Sequence, residues 1–305
     1  MNKPKVVVIA GPTASGKSAL AVELAKKING EIISADSMQI YKNMNIGTAK
    51  ISEDEMQGIR HYMLDIIEPD KRYSVSDFKK DAENYIEKII KEGKTPIICG
   101  GTGLYINSLI YGINFQEEKI DQKYRDKLNK IADDGELEKL YNEALKIDPE
   151  ATKKISKNDK KRIIRILEIY HTTGKTKTQQ EIESKKGEIK YNYIVFTINM
   201  KRELLYERIN KRVDQMIKNG LIEEVADIIK KYKTFPTAMQ GLGYKEVVEF
   251  LNGNINKELM IEKIKMETRR YAKRQLTWFR KNKDIIWIDG EKTKEENLQI
   301  ILSYI

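Results

Sequence analysis

The stretch Lys5-Val6-Val7-Val8-Ile9-Ala10-Gly11-Pro12-Thr13-Ala14-Ser15-Gly16-Lys17-Ser18 decides the fold. Lys5 to Ala10 is a β-branched run closed by glycine, the pattern of a buried parallel strand. Gly11 to Ser18 matches G-x-x-x-x-G-K-[ST]. Ser18 to Ile28 then carries Leu20, Leu24 and Ile28 at helical spacing and ends at Asn29-Gly30. Strand, glycine loop and helix in this order make a phosphate cradle. The glycines let the backbone wrap a phosphate, and the helix N-terminus aims N–H groups at it. Lys17 supplies a positive charge and Ser18 a hydroxyl for Mg²⁺. Gly11, Pro12, Thr13, Ala14, Ser15, Gly16, Lys17 and Ser18 are therefore the diphosphate-binding candidates.

The cradle does not say which diphosphate it holds, since kinases, GTPases and ATPases share it. Two absences narrow the choice. The chain has no N-K-x-D guanine reader. It also has no hydrophobic strand ending in a Walker-B-like aspartate, because Ile97-Ile98-Cys99 runs into Gly100. The first acid at a strand end is Asp36, after Ile32-Ile33-Ser34-Ala35. On the ligand-binding face of a parallel sheet, Asp36 reads as a general base or a Mg²⁺ ligand.

Outward from the loop, strands and helices alternate. Asp77 to Lys91 has helical periodicity, and Thr95 to Cys99 reads as a third strand entering Gly100-Gly101-Thr102-Gly103. This predicts an α/β fold, a P-loop NTPase-like doubly wound parallel sheet. Strand signals stop near Phe115 and return at Tyr191 to Ile198. Between them Gly135 to Leu145 and Lys160 to Tyr170 read as helices. Arg202 to Met216 and Leu221 to Tyr232 are helical as well. The predicted organisation is a core in two parts, 1–115 and 191–305, interrupted by a helical insert at 116–190.

The sequence has 305 residues, a net charge of +10 and a single cysteine, Cys99. One cysteine excludes an intrachain disulfide and a cysteine-rich zinc site, and fits a reducing compartment. The apolar run Val6 to Ala10 is too short for a signal-peptide core or a membrane span, so a cytoplasmic protein without a membrane partner is expected. A basic excess attracts polyanions, and its distribution is uneven. Over 151–190, Lys and Arg outnumber Asp and Glu by more than two to one. Over 263–283 only Glu267 opposes nine basic residues. Tyr271, Trp278 and Phe279 interleave that second run and read as the apolar face of a helix docked on the core, with the basic residues turned outward.

Several segments taken together carry a resemblance. They are Gly11 to Ser18, Ser34-Ala35-Asp36-Ser37-Met38-Gln39-Ile40-Tyr41, Asn45-Ile46-Gly47-Thr48-Ala49-Lys50 and His61-Tyr62-Met63-Leu64-Asp65. Further on come Gly100 to Tyr105, Asn158-Asp159 with Arg162, Arg165 and Glu168, and Arg208-Ile209 with Arg212-Val213. Gln240 to Glu246 and Arg274-Gln275-Leu276-Thr277-Trp278-Phe279 complete the series. In this order and over nearly the whole chain they resemble the tRNA dimethylallyltransferase (tRNA isopentenyltransferase) family.

The resemblance implies transfer of a dimethylallyl group from dimethylallyl diphosphate to N6 of the adenine on the 3′ side of the anticodon. The P-loop then holds the prenyl diphosphate, with Mg²⁺ on Ser18. It further implies Asp36 as base, Thr102 beside it, and Lys17 and Arg212 on the diphosphate. Asp36, Ser37, Met38, Gln39 and Thr102 would contact the base, and Lys161, Arg162, Ile163, Ile164 and Arg165 would grip the tRNA anticodon stem-loop. Longer members carry a C-terminal zinc finger, which is not expected here. A monomer is expected. The rivals are a P-loop small-molecule kinase, an isopentenyltransferase acting on free adenylate, and a non-catalytic tRNA-binding P-loop protein.

Overall fold

The structure is a computed structural model that describes residues 3–115 and 121–305. Residues 116–120, the start of the expected insert, lie outside the described residues. Among the described residues six strands form one sheet: β1 (Lys5–Ala10), β2 (Gly30–Ala35), β3 (His61–Tyr62), β4 (Thr95–Gly100), β5 (Asn192–Asn199) and β6 (Ile286–Asp289). Their order is β3-β2-β4-β1-β5-β6 and every pairing is parallel.

β1 shows why the sheet is covered on both faces. Its side chains alternate with period two. Val6, Val8 and Ala10 join one core with Phe78, Ala82, Ile86 and Ile89 of the helix Val75–Lys91. Val7 and Ile9 join another with Leu20, Leu24 and Ala25 of the helix Lys17–Lys27. All five apolar residues of the strand are fully buried, which is why they read as a continuous hydrophobic run rather than an alternation. The doubly wound parallel sheet expected from the sequence is what forms.

Register places the functional loops. Ala10 of β1 and Ala35 of β2 both pair with Gly100 of β4. The P-loop, the Asp36 loop and the Gly101 turn therefore leave the sheet side by side at its carboxyl edge. Gly100 permits this, because a β-carbon there would lie 2.2 Å from the Ala35 carbonyl oxygen.

A third core builds the wall above that edge. It joins Ile40, Tyr41 and Met44 to Val213, Leu221, Val225, Tyr244, Val247, Met260 and Ile264. Val213 and the residues after it come from the helices Arg202–Lys218, Leu221–Lys231, Tyr244–Leu251 and Lys257–Phe279. No helix among the described residues is long and apolar enough to cross a membrane.

The chain divides into two compact units, Met1–Ile110 with Ile189–Ile305, and Tyr111–Glu188. The second contains helices and no strand among its described residues and has its own core, with Leu128, Leu140, Tyr141, Ala144 and Ile163 buried together. Asp148 ties it together. Its carboxylate accepts from the Ala151 N–H at 3.0 Å and from the Thr178 N–H and hydroxyl at 2.8 and 2.7 Å.

Candidate active site

A cavity of about 480 Å³ opens at the carboxyl edge of the sheet. The P-loop forms one side with Thr13, Ala14, Gly16, Lys17 and Ser18. Asp36 to Gln39 form another, and Arg212, Tyr271 and Gln275 descend from the helical wall. The P-loop takes its shape from left-handed backbone at Ala14 (φ 62°) and Gly16 (φ 88°). Alternation of this kind makes an anion-binding concavity of N–H groups. The first N–H groups of the helix Lys17–Lys27 have no intrahelical acceptor. Ser15 Oγ is buried without a partner. The cradle is thus polar, donor-rich and unsatisfied, as a diphosphate requires.

Two cations complete it. Lys17 Nζ donates to the Pro12 carbonyl at 3.3 Å, and Arg212 Nη1 donates to Thr13 Oγ1, also at 3.3 Å. Burial lowers the Lys17 pKa from its ordinary value; Arg212 adds to the fall, and Cys99 and Asp36 oppose it. Burial also lowers Arg212, against Glu55 and Asp36. Both cations are short of solvent, so an arriving anion gains more from them than it would at a wet surface. Arg208, one turn before Arg212, is exposed and does not line the cavity.

Asp36 follows β2 directly. Its Oδ1 accepts from the Met38 and Gln39 N–H groups at 2.9 and 3.3 Å, an Asx-type turn that fixes the carboxylate. Thr102 braces the same loop, its Oγ1 accepting from the Ser37 N–H at 3.0 Å. Thr102 is itself held by its N–H on the Ala35 carbonyl at 3.1 Å. Gln39 is occupied internally. Its Oε1 accepts from Ser34 Oγ at 3.2 Å, and its Nε2 donates to the Thr48 carbonyl at 3.2 Å.

For Mg²⁺ the donor chemistry fits a metal that arrives with phosphate. This ion favours hard oxygens and keeps substrate phosphates and water in its shell. Ser18 and Asp36 offer such oxygens on one cavity, and no cluster of three His, Cys, Asp or Glu forms a separate cage among the described residues.

Two further wall residues were not read from the sequence as part of the site. Tyr271 lines the cavity rather than docking as core, with Thr102 and Gln275 beside its phenol. Burial, and then Asp36, push its pKa up to about 12. Gln275 is buried and bonds two loops at once. The segment Gln240–Lys245 lines the opposite wall, where a β-carbon on Gly241 would lie 2.6 Å from Met38 Cε. The glycines of Gln240-Gly241-Leu242-Gly243 were the available signal. Of the other aromatics, Phe279 is core as expected, and Trp278 lies against Gly103 while 37 % exposed.

In the unit Tyr111–Glu188 the basic candidates lie on the helix Lys160–Thr173. Lys161 and Arg162 are exposed, and Arg165 is half-buried with Nη1 3.9 Å from Glu168. Ile163 and Ile164 require a correction. They are 0 % and 5 % exposed in the unit's core, so their side chains hold the helix and do not reach a nucleic acid. The basic run 263–283 is also less naked than its window suggests. Lys263 pairs with Glu249 and Lys265 with Asp214, each at 2.8 Å, acids supplied by other helices.

Comparison with known proteins places this architecture. A family model described as IPP transferase matches residues 39–282. The tRNA dimethylallyltransferase of Caldanaerobacter subterraneus subsp. tengcongensis is 50% identical over 306 residues, covering 99% of this chain and 97% of that protein. The full-length tRNA isopentenylpyrophosphate transferase of Bacillus halodurans superposes with a TM-score of 0.74 at 40% identity, covering 99% of this chain and 95% of that one. A eukaryotic dimethylallyltransferase captured acting on tRNA superposes with a TM-score of 0.81 at 33% identity, covering 99% and 79%.

Proposed function

The chain belongs to the IPP transferase family, and from that premise we propose how its own residues carry out dimethylallyl transfer to tRNA. The acceptor is N6 of the adenine 3′-adjacent to the anticodon and the donor is dimethylallyl diphosphate. The observation that carries this reading is the shared register of β1, β4 and β2. It sets an anion cradle and a strand-end carboxylate on one cavity.

An exocyclic adenine amine is a weak nucleophile, because its lone pair is delocalised into the ring. In the transfer the N6–C bond forms as the allylic C–O bond breaks. The amine proton passes to the Asp36 carboxylate and the electron pair leaves on diphosphate. Asp36 is suited to this because its Oδ1 is fixed by the turn, leaving the other oxygen for the proton. General-base assistance of this kind contributes about 10²–10⁴-fold. Lys17, Arg212 and the P-loop amides answer the charge that grows on the leaving group. Mg²⁺ held at Ser18 would neutralise part of the same charge.

The target base must leave the anticodon-loop stack, at a cost of a few kcal/mol. The Asp36–Gln39 loop and Thr102 would receive it. Lys161, Arg162 and Arg165 supply phosphate contacts from the helical unit. One chain's residues complete the cavity, which supports action as a monomer, and we place the reaction in the cytoplasm.

The test is incubation with dimethylallyl diphosphate, Mg²⁺ and unmodified tRNA, followed by mass analysis of the nucleosides. A five-carbon gain on adenosine is expected. No gain on tRNA, with a gain on free adenylate or with phosphate transfer from ATP, would overturn the reading.

A further inference from the structure

Gln275 is 6 % exposed on the helix Lys257–Phe279. Its Oε1 accepts from the Thr13 N–H at 2.9 Å, and its Nε2 donates to the Gly101 carbonyl at 2.9 Å. One amide thus joins the P-loop, which follows β1, to the turn that follows β4. The second residue of that turn, Thr102, holds the Ser37 N–H of the base-bearing loop. Gly101 leaves room for the amide, since a β-carbon there would lie 2.2 Å from Nε2. The same Thr13 receives Arg212 on its hydroxyl.

We infer that Gln275 is a positioning residue that sets the height of the P-loop over the acceptor side of the cavity and, through Thr13, the aim of Arg212. The inference rests on the transfer reading above. The Thr13 N–H is spent on Gln275, so the donor is cradled by the amides from Ala14 onward. Gln275 fixes where that cradle begins. A fully hydrogen-bonded buried amide suits this task, because either bond lost leaves a buried polar group unpaired.

The experiment compares wild type, Gln275→Met, Gly101→Ala and the double variant. Methionine keeps the length and volume of glutamine and removes both hydrogen bonds. In Gly101→Ala the added methyl displaces the amide without altering it. Calorimetry with inorganic diphosphate and Mg²⁺ reads the cradle, filter binding reads tRNA, and thermal melting checks the fold. Each single variant should weaken diphosphate binding and raise the donor KM by about tenfold, since part of the cost of the lost hydrogen bonds falls on the cradle. tRNA affinity should stay within about threefold. The double variant should be no worse than the worse single one, as coupled residues require. Wild-type diphosphate affinity in Gln275→Met, additive losses in the double variant, or equal losses for tRNA and diphosphate would each overturn the inference. If wild type binds diphosphate but prenylates nothing, the transfer reading fails instead, and the binding arm still judges Gln275.

Discussion

Tyr244 donates a 2.6 Å hydrogen bond to Glu224, and the two hold the loop that follows the base-bearing turn. The Glu224 carboxylate also accepts from the N–H groups of Asn45, Ile46 and Gly47 at 2.8, 2.7 and 3.1 Å. Gly47 lies so close under the tyrosine ring that a β-carbon would fall 2.4 Å from it. Gly47, Thr48 and Ala49 line the cavity, so this pair shapes the site from behind. Glu224→Ala would leave three backbone donors and a buried phenol without their acceptor. Of these only the phenol is fully buried; an unsatisfied buried group costs about 1–3 kcal/mol, so urea unfolding should show a loss of about that size. Gln should recover part of it. A variant within 0.5 kcal/mol of wild type, roughly the scatter of neutral surface changes, would show that water replaces the carboxylate.

Asp36→Asn keeps an oxygen to accept from the Met38 and Gln39 N–H groups, so the turn should survive. Only the basicity is lost. Single-turnover prenyl transfer should slow by at least about 10²-fold, with tRNA affinity changed by no more than a few-fold. A near-normal rate would remove Asp36 as the base.

Lys17 gives a pH prediction. Its folded pKa lies below 10.5, chiefly through burial, so between that lowered value and 10.5 the unfolded chain binds the extra proton. Its contribution to stability therefore rises with pH across this window. Donor binding has the opposite sign, because the diphosphate favours the charged amine. Diphosphate affinity should fall as pH rises, beginning below the ordinary lysine range, and binding there should take up protons. Calorimetry in two buffers of different ionisation enthalpy measures the uptake. Lys17→Met and Arg212→Met should both weaken diphosphate binding; normal binding by both would refute the assigned cradle.

Reversal of Lys161 and Arg162 to Glu should weaken tRNA binding and flatten its salt dependence, since each neutralised phosphate releases counterions. Both are exposed. Arg165 is a poorer probe, because a glutamate there would stand beside Glu168, which Arg125 already engages with Nη2 at 2.8 Å. Unchanged affinity and slope in a folded variant would move the grip elsewhere. As a contrast, Ile163→Ala should cost about 2–5 kcal/mol through the cavity it leaves and alter tRNA affinity only through lost folding.

Much of this protein was written locally. The β-branched run into Gly11 specifies β1 and the P-loop because a buried parallel strand must be apolar on both faces, and the loop chemistry depends on neighbouring residues. β2, β4 and β5 were legible for the same reason. β3 was not, because two residues carry no period. Nor was β6, a four-residue edge strand whose Trp287 is partly exposed. Asp36 was readable from its place at a strand end, and Lys17 from its motif.

What sequence order could not decide was which distant groups meet. The pairing of Ala10 and Ala35 with Gly100, Gln275 on Thr13 and Gly101, and Glu224 under the Asn45–Gly47 amides all join residues far apart in the chain. The acids that neutralise Lys263 and Lys265 come from other helices, so a local charge count overstated that surface. Ile163 and Ile164 were placed in an RNA-facing stretch by the resemblance of 161–165 as a whole, yet a helix turns about 100° per residue and does not set every side chain of such a stretch on one face. Local propensity and motif spacing are properties of the chain itself. The cavity, its bracing and its charge balance arise only when packing selects one three-dimensional arrangement of these segments.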